Sequence, residues 1–99
     1  MPLQVVDNSG ESRFEVHVDG RVAGFADYRL LPTKIVFTHT EVMPDYEGKG
    51  LASKLVKFAL DASRDTGLRV VPLCPYVKDY IARHQEYADL VDADGSVGG

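Results

Sequence analysis

The sequence predicts an α+β domain, a mostly antiparallel twisted sheet joined to one βαβ crossover. Three observations carry this. Residues 13–19 alternate strictly between apolar and polar side chains and run into Asp19-Gly20, a dipeptide suited to a tight hairpin. Residues 34–43 carry apolar side chains at both parities, as a strand covered on both faces does. Beyond a glycine-rich turn, apolar residues recur every three or four positions from Leu51, and a second apolar strand pattern follows.

Taken in order, Leu3 to Val6 reads as a short strand, and Asp7-Asn8-Ser9-Gly10 as turn chemistry. In the next strand Phe14, Val16 and Val18 share one side, with Arg13, Glu15, His17 and Asp19 on the other. Arg21 to Leu30 returns antiparallel, with Val22, Ala26, Tyr28 and Leu30 expected on one face, until Leu31-Pro32-Thr33 breaks it. Lys34 to Met43 is the candidate central strand, Ile35 and Phe37 pointing one way and Val36 and Val42 the other. Pro44, which has no N–H for the ladder, ends it. In the helix that follows, Leu51, Leu55, Phe58, Ala59 and Ala62 recur on one side. Its other side carries Lys54, Lys57, Asp61, Arg64 and Asp65, and Gly67 closes it. Leu68 to Leu73 reads as a buried strand, Cys74-Pro75 as a break, and Val77 to Tyr87 as a second helix. Residues 1–91 are expected to form a single domain, with residues 92–99 a flexible tail.

Composition narrows the function. Of 99 residues, 44% are apolar and 26% charged, which suffices for a core, and Lys plus Arg number 11 against 15 Asp plus Glu. The net charge of −4 disfavours nucleic acid as a partner, since the sequence-independent part of that affinity needs a positive field. A single cysteine excludes an intrachain disulfide, and no Cys/His spacing suggests a metal. No apolar run nears the roughly 20 residues that span a bilayer, and the N-terminal residues do not have the plan of a secretion signal. A cytoplasmic protein is the default expectation.

The chemistry concentrates at Asp45-Tyr46-Glu47-Gly48-Lys49-Gly50. A helix start offers backbone N–H groups without internal partners and the positive end of the macrodipole. Gly48 and Gly50 remove the Cβ atoms that would hold a phosphate off the backbone, and Lys49 adds a charge between them. A turn whose glycines only satisfy geometry is the plainer alternative. The nucleotide P-loop, GxxxxGK[ST], fails because Gly50 follows Lys49 and no glycine stands at the earlier position. A dinucleotide fingerprint fails because the next strand ends in Leu73-Cys74, without an acid.

The run from Val42 to Leu55, Val-Met-Pro-Asp-Tyr-Glu-Gly-Lys-Gly-Leu-Ala-Ser-Lys-Leu, resembles the acetyl-CoA-binding motif of the GNAT N-acetyltransferase superfamily, Arg/Gln-x-x-Gly-x-Gly/Ala after a Val-x-Pro strand end. Gly50 and Ala52 take its small-residue positions. With Val71 to Val77 and Ile81 to His84 included, about half the chain resembles the short, single-domain YjdJ-like branch. The resemblance implies a GNAT-like fold and acetyl-CoA as cosubstrate, with no metal. It places Glu47, Gly48, Lys49, Gly50, Leu51, Ala52 and Ser53 around the CoA pyrophosphate. The splayed strand edge from Thr40 to Val42 would lie beside the pantetheine arm, with the N–H near Thr40 facing the acetyl carbonyl. Two positions depart from the pattern. Glu47 replaces Arg or Gln and must face solvent or a cation such as Lys49, and Ile35-Val36-Phe37 stands where larger relatives often carry a basic glutamate.

Acetyl transfer to an amine needs a proton acceptor, a donor for the developing oxyanion and an acid for the leaving thiolate. An ammonium of pKa about 10.4 must lose its proton near neutrality. Glu41 and His39 are the candidate bases, although alternation leaves their direction open. Cys74 is expected beside the acetyl group, as lining or as a nucleophile, and Tyr80 or Tyr76 as the acid, with Tyr80 preferred. A Cys74, Asp79, His84 thiol hydrolase is disfavoured because Asp79 and His84 fall on different helix faces. The reading is an N-acetyltransferase acting by direct attack in a ternary complex. Its alternative is a non-catalytic acetyl-CoA or CoA-binding module. The acceptor is an amine of unspecified identity, small molecule or protein; the −4 charge favours a cation, and nothing in the sequence sets the oligomeric state.

Overall fold

The computed structural model describes residues 2–92. These form one five-stranded sheet in the order β1 (Leu3–Asn8), β2 (Arg13–Val18), β3 (Arg21–Leu30), β4 (Lys34–Val42), β5 (Arg69–Pro72). The first four strands pair antiparallel; β5 pairs parallel with β4, so α1 (Leu51–Asp65) is the crossover helix, and α2 (Pro75–Arg83) follows β5. The α+β class with one βαβ unit is the fold observed. One apolar cluster joins Phe14, Val16, Ala26, Ile35 and Phe37 of the sheet to Leu55, Leu60 and Ala59 of α1 and Val77 and Ile81 of α2. Among the described residues no helix is long and apolar enough to cross a membrane.

Asp19 and Gly20 both adopt positive φ, 51° and 82°, as the tight β2–β3 hairpin requires. β1 runs two residues further than turn chemistry predicts. Asp7 and Asn8 stay extended because each side chain finds a partner across the sheet: the Tyr28 hydroxyl donates to Asp7 Oδ1 at 2.7 Å, and Asn8 Nδ2 donates to Glu15 Oε2 at 3.0 Å. The chain turns instead through a 3-10 segment, Ser9–Glu11.

Two bulges correct the expected faces. In β3, Val16 faces Gly24 but His17 faces Val22, so Ala23 is the extra residue and Val22 turns to the polar side with His17. In β4, Tyr28 faces Phe37 but Asp27 faces His39, so Thr38 is extra. Residues directly opposite in an antiparallel pair share a face. Gly24, Ala26 and Tyr28 share one, hence Val42, Thr40, Phe37 and Ile35 also share it, and Val42 does not side with Val36 as alternation suggests. Leu30, expected inside, is exposed at the end of its strand.

The second helix is displaced. It begins at Pro75, whose missing N–H costs nothing in the first turn, and ends at Arg83 rather than Tyr87. His84 leaves helical geometry, and Gln85–Leu90 continues as a 3-10 segment that buries Tyr87 and Leu90. That segment is fastened to α1 and β5. Arg64 reaches both carboxylate oxygens of Asp89 at 2.9 and 3.1 Å, and Arg69 donates to the Asp89 and Val91 carbonyls at 2.9 and 2.7 Å. Asp92, expected to open the tail, donates its N–H to the Val70 carbonyl and pairs with the largely buried Lys34 at 3.0 Å. The rest of the expected tail, 93–99, lies outside the described residues.

Glu15, on the polar side of an alternating strand, is only 4% exposed. Arg13 Nε at 2.7 Å, His17 Nε2 at 2.8 Å and Asn8 roof it over. Hydrogen bonds from His17, Asn8 and Arg13, in that order, hold its carboxyl down at about 2, against the smaller opposing effect of burial. Its folded value lies below the ordinary 4.5, so the stabilisation is present above that pH and is lost as pH falls from about 4.5 towards 2. Urea unfolding of Glu15→Gln should show a smaller loss of stability over that acid window than the native chain; equal slopes would refute the assignment.

Candidate functional site

Parallel pairing of β4 with β5 ends early. The last partners are Phe37 and Pro72. Pro72 has no N–H to extend the ladder, and the chain turns away at Leu73. The Phe37 carbonyl then accepts the N–H of Cys74 at 2.9 Å, and the Cys74 carbonyl accepts the N–H of Lys78 in the first turn of α2. Among the described residues, no strand lies on the β5 side of residues 38–42, although on the other side Asp27, Ala26, Phe25 and Gly24 still pair with His39 to Val42. This is a notch in the plane of the sheet. Its margin includes the half-exposed side chains of Leu73 and Tyr76.

Beyond the open edge of β4, Met43 donates its N–H to the Ala23 carbonyl, and Pro44–Tyr46 form a single 3-10 turn that leads to the glycines. Gly48 and Gly50 have φ of 80° and 72°, and an added Cβ at either would meet nothing within 4 Å. They are glycine for backbone conformation and leave the surface open above them. Gly50 is the N-cap of α1 and makes no side-chain cap; Leu51 is buried, while Ala52 and Ser53 are half-covered. Amides of the first helical turn therefore face an unobstructed surface at the carboxyl end of β4. Glu47 is exposed and makes no ion pair with Lys49 among the described residues, so its charge is held in solvent.

The structure brings Thr40 and Cys74 together. The bulge at Thr38 rotates Thr40 to the helix side, where the 3%-exposed thiol of Cys74 donates to its Oγ1 at 3.3 Å. Sequence reasoning missed this bulge; its trace was the imperfect alternation of residues 34–43, read as coverage of both faces. Glu41 and His39 fall on the opposite face, pairing across from Phe25 and Asp27. There His39 Nε2 meets Glu41 Oε1 at 3.1 Å, with side chains 56% and 50% exposed, and the imidazole leans on Phe25. The notch therefore has a thiol and hydroxyl on one side and an imidazole–carboxylate pair on the other.

Tyr80 is buried in the core cluster, its ring stacked on His84 at 3.9 Å, and its hydroxyl has no hydrogen-bond partner among the described residues. Tyr76 is half-exposed, and its hydroxyl is pushed up, first by burial and then by the charges of Tyr80 and Asp79. The thiol-hydrolase constellation is not assembled: Asp79 pairs with Arg83 at 3.0 Å, and His84 Nδ1 bonds the Tyr80 carbonyl at 2.8 Å. Among the described residues no group of three His, Cys, Asp or Glu could hold a metal ion.

Comparison with known proteins follows the same lines. Residues 13–90 match the family described as GCN5-related N-acetyl-transferase. Protein NATD1 of Gallus gallus is 32% identical over 82 residues, covering 81% of this chain and 74% of that protein. The NMR structure of a GCN5-like chain of Staphylococcus aureus superposes with a TM-score of 0.69 at 23% identity, over 91% of this chain and 88% of that one. The ribosomal-protein-alanine N-acetyltransferase of Brucella melitensis biovar Abortus 2308 gives 0.58 at 24% identity, over 82% and 61%. At these identities the structural likenesses speak for the fold.

Because the cost at Gly50 is conformational and not steric, Gly50→Ala should destabilise the protein by about 1–2 kcal/mol. Gly50→Asn, which tolerates left-handed geometry, should lose less. Chemical denaturation checks the order, and an Asn variant no more stable than the Ala variant would contradict it.

Proposed function

The chain belongs to the GCN5-related N-acetyltransferase family, and on that premise we propose that it transfers an acetyl group from acetyl-coenzyme A to an amine by direct attack in a ternary complex. The observation that carries the proposal is the uncapped start of α1 at an open glycine turn, set at the end of the strand whose edge the notch exposes. Those residues suit the coenzyme. Backbone amides from Gly48 to Ser53 hold the diphosphate at the positive end of α1, and Lys49 offsets the nearby Glu47. The edge from Thr40 to Val42 offers main-chain hydrogen bonds to an extended amide-bearing arm, as an added strand would use.

When bound, acetyl-CoA supplies an activated acyl group on a thiolate leaving group. The work of this chain's residues is positional and protonic. Thr40 and Cys74 line the helix side of the notch, and the thiol, engaged with Thr40, acts as lining and not as nucleophile. An amine entering from the polar face meets His39 and Glu41, which accept its proton; Glu41 holds the imidazole in place. Tyr80, with an unengaged hydroxyl, protonates the leaving thiolate. A second reading, a module that binds the coenzyme without turnover, is favoured by one observation: Ile35, Val36 and Phe37 are apolar and buried, so the first half of β4 supplies no carboxylate.

Calorimetry with CoA and acetyl-CoA, followed by thiol release over a panel of amines, tests both readings. Binding should be lost in Gly50→Glu, and thiol release should require an amine. Cys74→Ala should retain most of its turnover, and Glu41→Gln should lower kcat by about 10²-fold. Absence of heat with either coenzyme overturns the assignment. Binding without release selects the module, and release without amine selects hydrolysis.

A further inference from the structure

A well-formed cavity lies away from the notch. It measures about 410 Å³ and sits at the other end of the βαβ unit, between the last turn of α1 (Ala62) and the starts of β2 (Phe14) and β4 (Ile35), with Leu68 closing it. That volume falls within the range of small-molecule sites, which are mostly apolar with a few placed polar groups. Its charge is one-sided. Among the described residues, Asp7 is the sole charged one of the lining, which includes no Lys, Arg or His.

The placement of Asp7 is built into the sheet. It lies opposite Phe14, and the Tyr28 hydroxyl donates to its Oδ1 at 2.7 Å. Tyr28 is itself buried, and burial together with Asp7 pushes its phenol up to about 12, so it remains a donor at any physiological pH. Oδ2 has no protein partner among the described residues. The other two hydroxyls of the lining are engaged elsewhere: Ser63 donates to the Ala59 carbonyl at 2.8 Å and Thr66 to that of Ala62 at 3.0 Å. The cavity thus offers apolar walls and, at its solvent-exposed mouth, one oriented carboxylate with an open oxygen and, among the described residues, no positive counter-charge in its lining.

We propose that this cavity is a second binding site, separate from the acetyl-transfer notch, for a small amine whose apolar body packs on Phe14, Ile35 and Leu68 while its ammonium pairs with Asp7. Charge complementarity selects the class. A carboxylate-bearing ligand of the same shape would meet Asp7 with like charge, and a neutral one would forgo the ion pair.

The test is a ¹H–¹⁵N NMR titration of the full chain with 2-phenylethylamine, against 2-phenylethanol and 3-phenylpropionate. The amine should give saturable shifts centred on Ile35, Ala62 and Leu68. The alcohol should bind several-fold more weakly and the carboxylate not measurably. Asp7→Asn should bring amine affinity down to that of the alcohol, and Ala62→Leu or Thr66→Leu, which fill the cavity from the helix side, should remove the shifts while the spectrum stays folded. Saturating CoA should leave amine binding unchanged. Shifts centred instead on Thr40, Cys74 or Gly50, equal binding of the carboxylate, or no saturable shift would each overturn the proposal.

Discussion

The architecture turns on where one ladder stops. Two prolines set the limit: Pro72 cannot donate to β4, and Pro75 commits the chain to a helix three residues later. Between them Cys74 takes the Phe37 carbonyl, the last backbone bond tying this crossing to the central strand. The notch is the result. Were residues 73–76 to continue as strand, the edge of β4 would be covered, Thr40 would lose the thiol it touches, and the glycine turn would open beside a sealed sheet.

How much of this was legible in the sequence differs by scale. Alternation and helical period located all five strands and both helices, because those patterns are imposed by the burial of one face and the core is a single cluster. Faces were harder. Extra residues at Ala23 and Thr38 each reverse parity, and an apolar residue carries no sign that its opposite number has been skipped. Glu15 shows a related limit: alternation assigns it the polar side, but side chains on neighbouring positions and strands decide whether that side is wet. Boundaries moved where tertiary contacts outbid local preference, as at Asp7 and Asn8, or where a helix gave way to tighter winding after Arg83.

For the site, the glycine turn was the most readable part, since positive φ and open space are properties that glycine announces. The nearness of Cys74 to the central strand was also readable from chain order. Which face each of Thr40 and Glu41 takes was not, for it depends on the bulge. Gly24 shows the same dependence from the neighbouring strand: a Cβ there would come within 2.8 Å of the Glu41 carbonyl, so its smallness serves the close approach of β3 to the edge that the notch exposes.

The ion pair between Lys34 and Asp92 joins the first residue of the central strand to the last described one. An ammonium that far out of water is costly unless its partner arrives. The pair therefore fastens the stretch after the last 3-10 segment to the opening of the central strand by charge, beside the backbone bond from Asp92 to the Val70 carbonyl.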